Sequence, residues 1–388
     1  MNNFIYHVPT RIYFGKGQVK ALKGELEGRV KKVLIVTGQG SVKKNGIFDN
    51  VQREVRNAKV NFVELSGIKP NPRLKSVYEG IEICRKESVD FILAVGGGSV
   101  IDASKAIAAG VNYTGDVWDF FEKGIECKKA LPVGTVLTLA ATGTEMNMHT
   151  VISKEDTERK LSLSCPLLRP EFSVLDPEYT YSVNRYHTAA GIVDIMAHIF
   201  EEYFSEPSSA YVPDRIAEAL LRTCIHYGPV ACEKPRDYNA RANLLWAGSL
   251  ALNGLLGAGK CGDWASHYIE HEVSAIYDIS HGVGLAIIIP NWMRHVLSKQ
   301  TENKFAEFGA NVWGIEKSAD KEGMAKSAIR KTRDFFNSLG LPSTFDEVGV
   351  PKDRFKDMAK NAKRSIGEIG SFKKLSEKDI IDILEEAH

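Results

Sequence analysis

The stretch Phe91-Ile92-Leu93-Ala94-Val95-Gly96-Gly97-Gly98-Ser99-Val100-Ile101-Asp102 decides the fold. Five apolar residues in a row suit a strand buried on both faces of a parallel sheet. Three glycines end it. Ser99 stands where it can cap the following helix, with Asp102 in the first turn. Consecutive glycines let a backbone approach a phosphate, and the helix start offers free N–H groups at the positive dipole end. The plainer reading is a tight turn needing positive φ. The spacing is not the G-x-G-x-x-G of a standard dinucleotide fingerprint.

The same alternation of strand, turn and helix extends to both sides. Strands are expected at 32–38, 60–65, 91–95, 131–138 and 172–175, with helices at 50–57, 74–86 and 100–110. After Asp176-Pro177 the pattern turns helical: 187–204, 213–226, 237–256, 264–277, 286–297, 302–309, 321–339 and 377–386, punctuated by Pro207, Pro213, Pro235 and Pro290. The expected fold class is a Rossmann-like α/β domain with a parallel sheet over residues 1–178, followed by an all-α domain over 179–388. The tail from Lys352 carries no clear pattern.

Composition sets bounds. The chain has 388 residues, 44% hydrophobic and 26% charged, with a net charge of +1. That is globular, and it lacks the basic footprint of a nucleic-acid binder. No apolar run is long enough for a bilayer. The N-terminus has no basic n-region or long apolar core, so no signal peptide is expected. Six scattered cysteines without a C-x-x-C are the pattern of reduced thiols, which predicts a cytoplasmic protein.

A second glycine turn, Thr37-Gly38-Gln39-Gly40-Ser41-Val42-Lys43-Lys44, follows the first of these strands. A carboxylate here would take the adenosine ribose hydroxyls, and none occurs before Asp49. Ser41, Lys43 and Lys44 instead predict NADP(H) over NAD(H). The alternative is a solvated helix start. A third segment, Thr138-Leu139-Ala140-Ala141-Thr142-Gly143-Thr144-Glu145, sets hydroxyls in a small turn suited to phosphate or ribose, or forms a polar loop.

Asp194 and His198 are four apart and share one face of an apolar helix. A buried carboxylate there calls for a partner or a cation. An Asp–His hydrogen bond in the core would serve as well. His267 and His271 repeat the spacing of four, and His281 is expected at a turn. One Asp and several His without thiolate suit Fe(II), Zn(II), Mn(II) or Ni(II). One histidine can then lie off the metal and relay protons near its ordinary pKa. The phosphate turns fall in one half and these residues in the other, so a cleft between the halves is expected.

These motifs together resemble the iron-dependent, group III alcohol dehydrogenases. The resemblance runs from Phe4 to about Val350 and includes F-I-Y-H-V-P-T-R-I-Y-F-G-K-G, K-P-N-P, A-V-G-G-G-S-V-I-D, T-L-A-A-T-G-T-E-M-N, D-I-M-A-H, A-R-A-N-L-L-W-A and H-Y-I-E-H-E-V-S-A-I-Y-D-I-S-H-G. K-P-N-P and S-A-I-Y-D-I-S-H-G look closest to the butanol dehydrogenase and aldehyde reductase branch. The resemblance implies a dehydroquinate synthase-like architecture. It implies Fe(II), with Zn(II) as an alternative, held by Asp194, His198, His267 and His281, leaving His271 as the catalytic proton relay. It puts the nucleotide on Gly97, Gly98 and Ser99, with contacts from Gly38, Ser41, Asn71, Asp102, Thr138, Thr142 and Lys160. It also implies a homodimer joined through the N-terminal strand. Two departures stand out: Gly38-Gln39-Gly40-Ser41 replaces the branch's triple-glycine-serine, and Met148-His149 replaces smaller or amide residues.

The expected activity is reversible hydride transfer between NADP(H), or NAD(H), and a primary alcohol/aldehyde pair such as butanol/butanal, with no nucleic-acid or membrane partner. The competing expectations are a dehydroquinate-synthase-like lyase or polyol dehydrogenase on the same scaffold, and a non-catalytic metal- or nucleotide-binding protein. Trp264 and Ile269 are candidates to line the pocket or to belong to the core.

Overall fold

In the computed structural model, residues 1–207 and 209–388 are described, the side chains of 365 and 366 excepted. The strands are β1 (Arg11–Phe14), β2 (Lys32–Gly38), β3 (Asn61–Ile68), β4 (Phe91–Gly96), β5 (Val133–Leu137), β6 (His149–Lys154), β7 (Arg159–Ser164) and β8 (Phe172–Leu175). The six-stranded sheet among the described residues has the order β1-β8-β5-β4-β2-β3. Every pairing in it is parallel.

The unbroken apolar runs are explained by what covers the sheet. Leu34 and Val36 of β2 and Ile92 and Ala94 of β4 enter one apolar cluster. Their neighbours Val33, Ile35, Phe91, Leu93 and Val95 enter another. Side chains alternate across a strand, so both faces are packed and neither needs polar residues.

The five expected strands are present. Sequence reading passed over β1, a four-residue edge strand, and the antiparallel β6–β7 hairpin. The hairpin strands carry Lys154, Arg159 and Lys160, which dilute the apolar signal. His149 opens β6.

Two compact units emerge. One comprises His7–Val183 and Arg236–Ser249; the other comprises Met1–Tyr6, Asn184–Pro235 and Leu250–His388. The first holds the sheet. Most of helix Tyr238–Ala251 groups with it, and Leu245 lies in the sheet's apolar cluster.

The other unit is helical. Asn184 starts helix Arg185–Tyr203 by accepting from the His187 amide over 2.8 Å, an N-cap. Helices Tyr211–Glu233, Ala265–Tyr277, His281–Val296, Glu302–Trp313, Lys321–Ser338, Phe355–Ile366 and Glu377–Glu386 follow. Three expectations change. His281 is not at a turn: it is the first residue of its helix, with Ser280 before it. Pro290 does not punctuate, because that helix runs through it. The patternless tail contains helix Phe355–Ile366. None of the described helices is long and apolar enough to cross a membrane.

Candidate active site

Helix Arg185–Tyr203 carries Asp194 and His198, helix Ala265–Tyr277 carries His267 and His271, and His281 opens the next helix. Gly282 sets how closely these helices approach. A Cβ there would run into the carbonyl oxygen of Ala190, one turn before Asp194. Only glycine permits that approach, which brings His281 to the Asp194 helix.

Asp194, His267 and His281 each offer a ligand atom, all within 4.8 Å of one another. The His198 ring centroid lies 4.6 Å from that of His267. His271 joins a second trio with Glu270 and His281, again within 4.8 Å. Four of the five predicted residues are buried, and His281 is about one-fifth exposed.

The hydrogen bonds fix the tautomers. His267 Nδ1 donates to Glu201 Oε1 over 2.7 Å. His198 Nδ1 donates to the Asp194 carbonyl over 2.8 Å. His281 Nδ1 donates to Glu270 Oε2, whose other oxygen accepts from Ser274. With Nδ1 engaged as the donor, Nε2 is the nitrogen that each ring has left to offer a metal. His281 Nε2 lies 3.7 Å from Asp194 Oδ1. His267 Nε2 is buried without a hydrogen-bond partner. A buried bare nitrogen is costly unless it meets a cation. One carboxylate and several oriented imidazoles form a donor set that fits a divalent first-row metal.

Glu201 and Glu270 escaped sequence reading. The signal was legible: Asp194, His198 and Glu201 follow i, i+4, i+7 spacing, and His267, Glu270, His271 and Ser274 follow i, i+3, i+4, i+7. Ile269 is fully buried core. Trp264 lies beside the histidines, its ring 5.3 Å from His267 and 6.2 Å from His198. Its φ of 64° is a strained conformation for a bulky residue.

In the sheet unit Gly38, the Gly97-Gly98-Ser99 turn and Thr138 stand at the carboxyl ends of β2, β4 and β5, while Asn71 follows β3 and Lys160 lies in β7. Strand order reverses between β2 and β4, which pair, and ligands of such sheets sit at that switch point. Gly38 ends β2, and a Cβ there would come 3.6 Å from Val100, just past the glycine turn. Helix Gly98–Val111 starts at Gly98 with Gly97 before it, two residues earlier than a Ser99 cap would place it. A Cβ on Gly98 would fall 2.5 Å from Thr142 Oγ1, so the 138–144 segment packs on the turn. Thr138 donates its amide to the Gly96 carbonyl over 3.0 Å. Ser41 opens the short helix Ser41–Lys44, Asn71 is buried with φ 48°, and Lys160 is buried in β7.

Two carboxylates have contacts that sequence reading did not foresee. Asp102 has its carboxylate turned inward: Oδ1 accepts from Thr144 over 2.6 Å and Oδ2 from the Val151 amide over 3.0 Å. It braces the loop and the hairpin. Glu64 on β3 supplies a carboxylate near the β2 turn, 2.6 Å from Lys43 Nζ. Reading only forward from the turn missed it, because β3 returns it to the same edge.

Lys105, one turn after Asp102, is fully buried. Its ammonium donates to Thr144 Oγ1 (2.8 Å), the Asn147 carbonyl and side chain (both 3.0 Å) and the His149 carbonyl (2.9 Å). Burial pulls its pKa down to about 7, against the attraction of Asp102. It ties the 142–149 segment to the glycine-turn helix.

Residues 9–177 match the iron-containing alcohol dehydrogenase family, and residues 188–388 match its C-terminal region. The chain belongs to this family. It is 51% identical to the NADH-dependent butanol dehydrogenase A of Clostridium acetobutylicum over the whole of both chains. It is 41% identical to the NADPH-dependent aldehyde reductase of Escherichia coli over 90% of each. The crystal structure of NADH-dependent butanol dehydrogenase A from Thermotoga maritima superposes with a TM-score of 0.95 at 38% identity, covering 100% of this chain and 99% of that one. The protein is therefore an oxidoreductase that couples alcohol/aldehyde interconversion to a nicotinamide nucleotide. This sets aside the lyase and non-catalytic expectations.

Proposed function

We propose that this protein interconverts short primary alcohols and aldehydes, with butanal and butanol representative, using Fe(II), or Zn(II) in its place, held by Asp194, His198, His267 and His281. The observation that carries this is the buried His267 Nε2, bare of hydrogen bonds, in the cluster with Asp194 and His281. The ion, when bound, supplies Lewis acidity at the substrate oxygen. Glu201 and Glu270 keep the Nδ1 protons in place and so aim each Nε2 lone pair. His271, next to His281, gives the proton to the product alkoxide and takes it back in the reverse direction. Trp264 offers an apolar wall beside the histidines.

The sheet unit is assigned the nucleotide and the helical unit the metal. Gly97, Gly98 and Ser99 hold the pyrophosphate at a helix start, with Gly38, Ser41, Asn71, Thr138, Thr142 and Lys160 around it. Asp102 is kept as a brace. The NADP(H) expectation rested on Lys43 and Lys44. Lys43 is engaged by Glu64, and relatives at 51% and 50% identity are named NADH-dependent. The reading we favour is NAD(H) first, with NADP(H) accepted through exposed Lys44.

A homodimer formed through the N-terminal segment is supported by exposed Phe4, Ile5 and Tyr6, with Ile5 97% exposed. Cytoplasmic residence is supported by six free cysteines. The deciding experiment follows nicotinamide absorbance with butanal, NADH or NADPH, and Fe(II) or Zn(II). Metal-dependent oxidation of NADH faster than NADPH is expected. No turnover across a series of aldehydes with either nucleotide would refute the reading.

A further inference from the structure

In the helical unit, a cavity of about 610 Å³ is lined by Arg294, Lys299, Lys326, Arg330 and Arg333 against only two carboxylates, Glu302 and Glu322. The pairing is uneven. Lys299 bonds Glu302 and Glu322, Lys326 bonds Glu322, and Arg294 bonds Glu386 at 2.8 Å. Arg330 and Arg333 form no ion pair among the described residues.

Arg333 is the unusual member. It is half-buried, and its Nη2 donates over 2.7 Å to the side-chain oxygen of buried Asn291. Arg294 Nη2 donates to the same oxygen over 3.2 Å. Asn291 Nδ2 is fixed on the Ile287 carbonyl at 2.8 Å, which sets the amide's orientation. One neutral acceptor thus holds two guanidinium groups side by side. Burial first, and then Arg294, press the Arg333 pKa downward, with Asp334 and Glu386 only partly offsetting them. Glu386 holds Arg294 and offsets the repulsion only in part, which leaves Arg333, with exposed Arg330 one turn before it, open to a further anion.

We propose that this cavity binds an organic phosphate, its phosphoryl group bridging Arg330 and Arg333 and its carbon portion lying on Pro290, Leu297 and Ile329. Two uncompensated cations match a dianion better than a single carboxylate. Guanidinium forks match phosphate oxygens two at a time. The apolar residues of the lining give the rest of the molecule a dry surface. The proposal stands on its own residues, none of which belongs to the nucleotide or metal sites; the dehydrogenase reading enters only through the NADH and the turnover control of the test.

The test uses the full chain saturated with NADH, which occupies the glycine turns. Thermal unfolding is followed with phenyl phosphate, inorganic phosphate and benzoate at constant ionic strength, because a ligand of the native state alone raises Tm. Phenyl phosphate is expected to raise Tm saturably, inorganic phosphate more weakly, and benzoate not at all. The shift should vanish in Arg330→Gln and in Arg333→Gln while butanal turnover without phosphate stays unchanged. Arg330 is exposed, so its variant will fold even if Arg333→Gln does not. No saturable shift, or an equal shift in Arg330→Gln, overturns the proposal. Inorganic phosphate binding as tightly as phenyl phosphate overturns the organic-ligand assignment.

Discussion

His267 and Glu201 are joined through a 2.7 Å bond from imidazole Nδ1 to carboxylate Oε1, deep in the helical unit. The bond holds the Nδ1 proton on Glu201 and leaves Nε2, which has no hydrogen-bond partner, for the cluster with Asp194 and His281. A ring free to choose tautomers would spend part of its time with a proton where the proposed metal would bind.

Glu201→Gln should therefore weaken metal retention by roughly 10- to 100-fold, the usual cost of losing such a support. Competition with a chelator, with circular dichroism to verify the fold, measures it. Unchanged metal affinity in a folded variant would remove Glu201 from the site's machinery.

His267→Ala and His271→Ala should part company. The first should lose the metal. The second should keep it and turn over about a hundredfold or more slowly, as expected for loss of a general acid–base group. Equal metal loss in both would end that division of roles.

Lys105→Met and Thr144→Val loosen the same segment from two sides. Each variant removes more than one buried hydrogen bond. A single one costs about 1.4 kcal/mol, or about tenfold in affinity, so about tenfold is the least expected. The nucleotide KM should rise by at least that order while the aldehyde KM stays fixed. A parallel rise in both would mean general damage rather than a loosened nucleotide turn.

Glu64→Gln frees Lys43 for a 2′-phosphate. An exposed pair contributes up to about 1 kcal/mol, so the NADPH to NADH ratio of kcat/KM should rise up to about fivefold. A ratio that does not move would separate cofactor choice from this pair.

His149 gives a pH prediction. Burial, then Lys105 and Arg169, lower its pKa to about 4, against about 6.5 in an unfolded chain. Between those values the unfolded chain takes a proton that the folded chain refuses. Its contribution is present above pH 6.5 and is lost as pH falls toward 4. His149→Gln should flatten stability over that window in denaturant melts. An unchanged slope would show that other groups set it.

The alternation of strands and helices, the glycine turn and the five candidate residues Asp194, His198, His267, His271 and His281 were legible in the sequence. These follow from local rules: an apolar run long enough for a strand, a helical spacing of four, a glycine where backbone must approach. Helix ends and the β6–β7 hairpin were less legible, because charged residues interrupt their patterns. Only tertiary structure decided which groups serve the active residues. Glu64 reaches the β2 turn because β3 lies beside β2, and the Asp102 carboxylate is engaged because Thr144 and Val151 fold back on it. The physical reason is shared. Hydrogen bonds and charges act over a few ångströms of space, and chain separation does not record which distant residues will be brought that close.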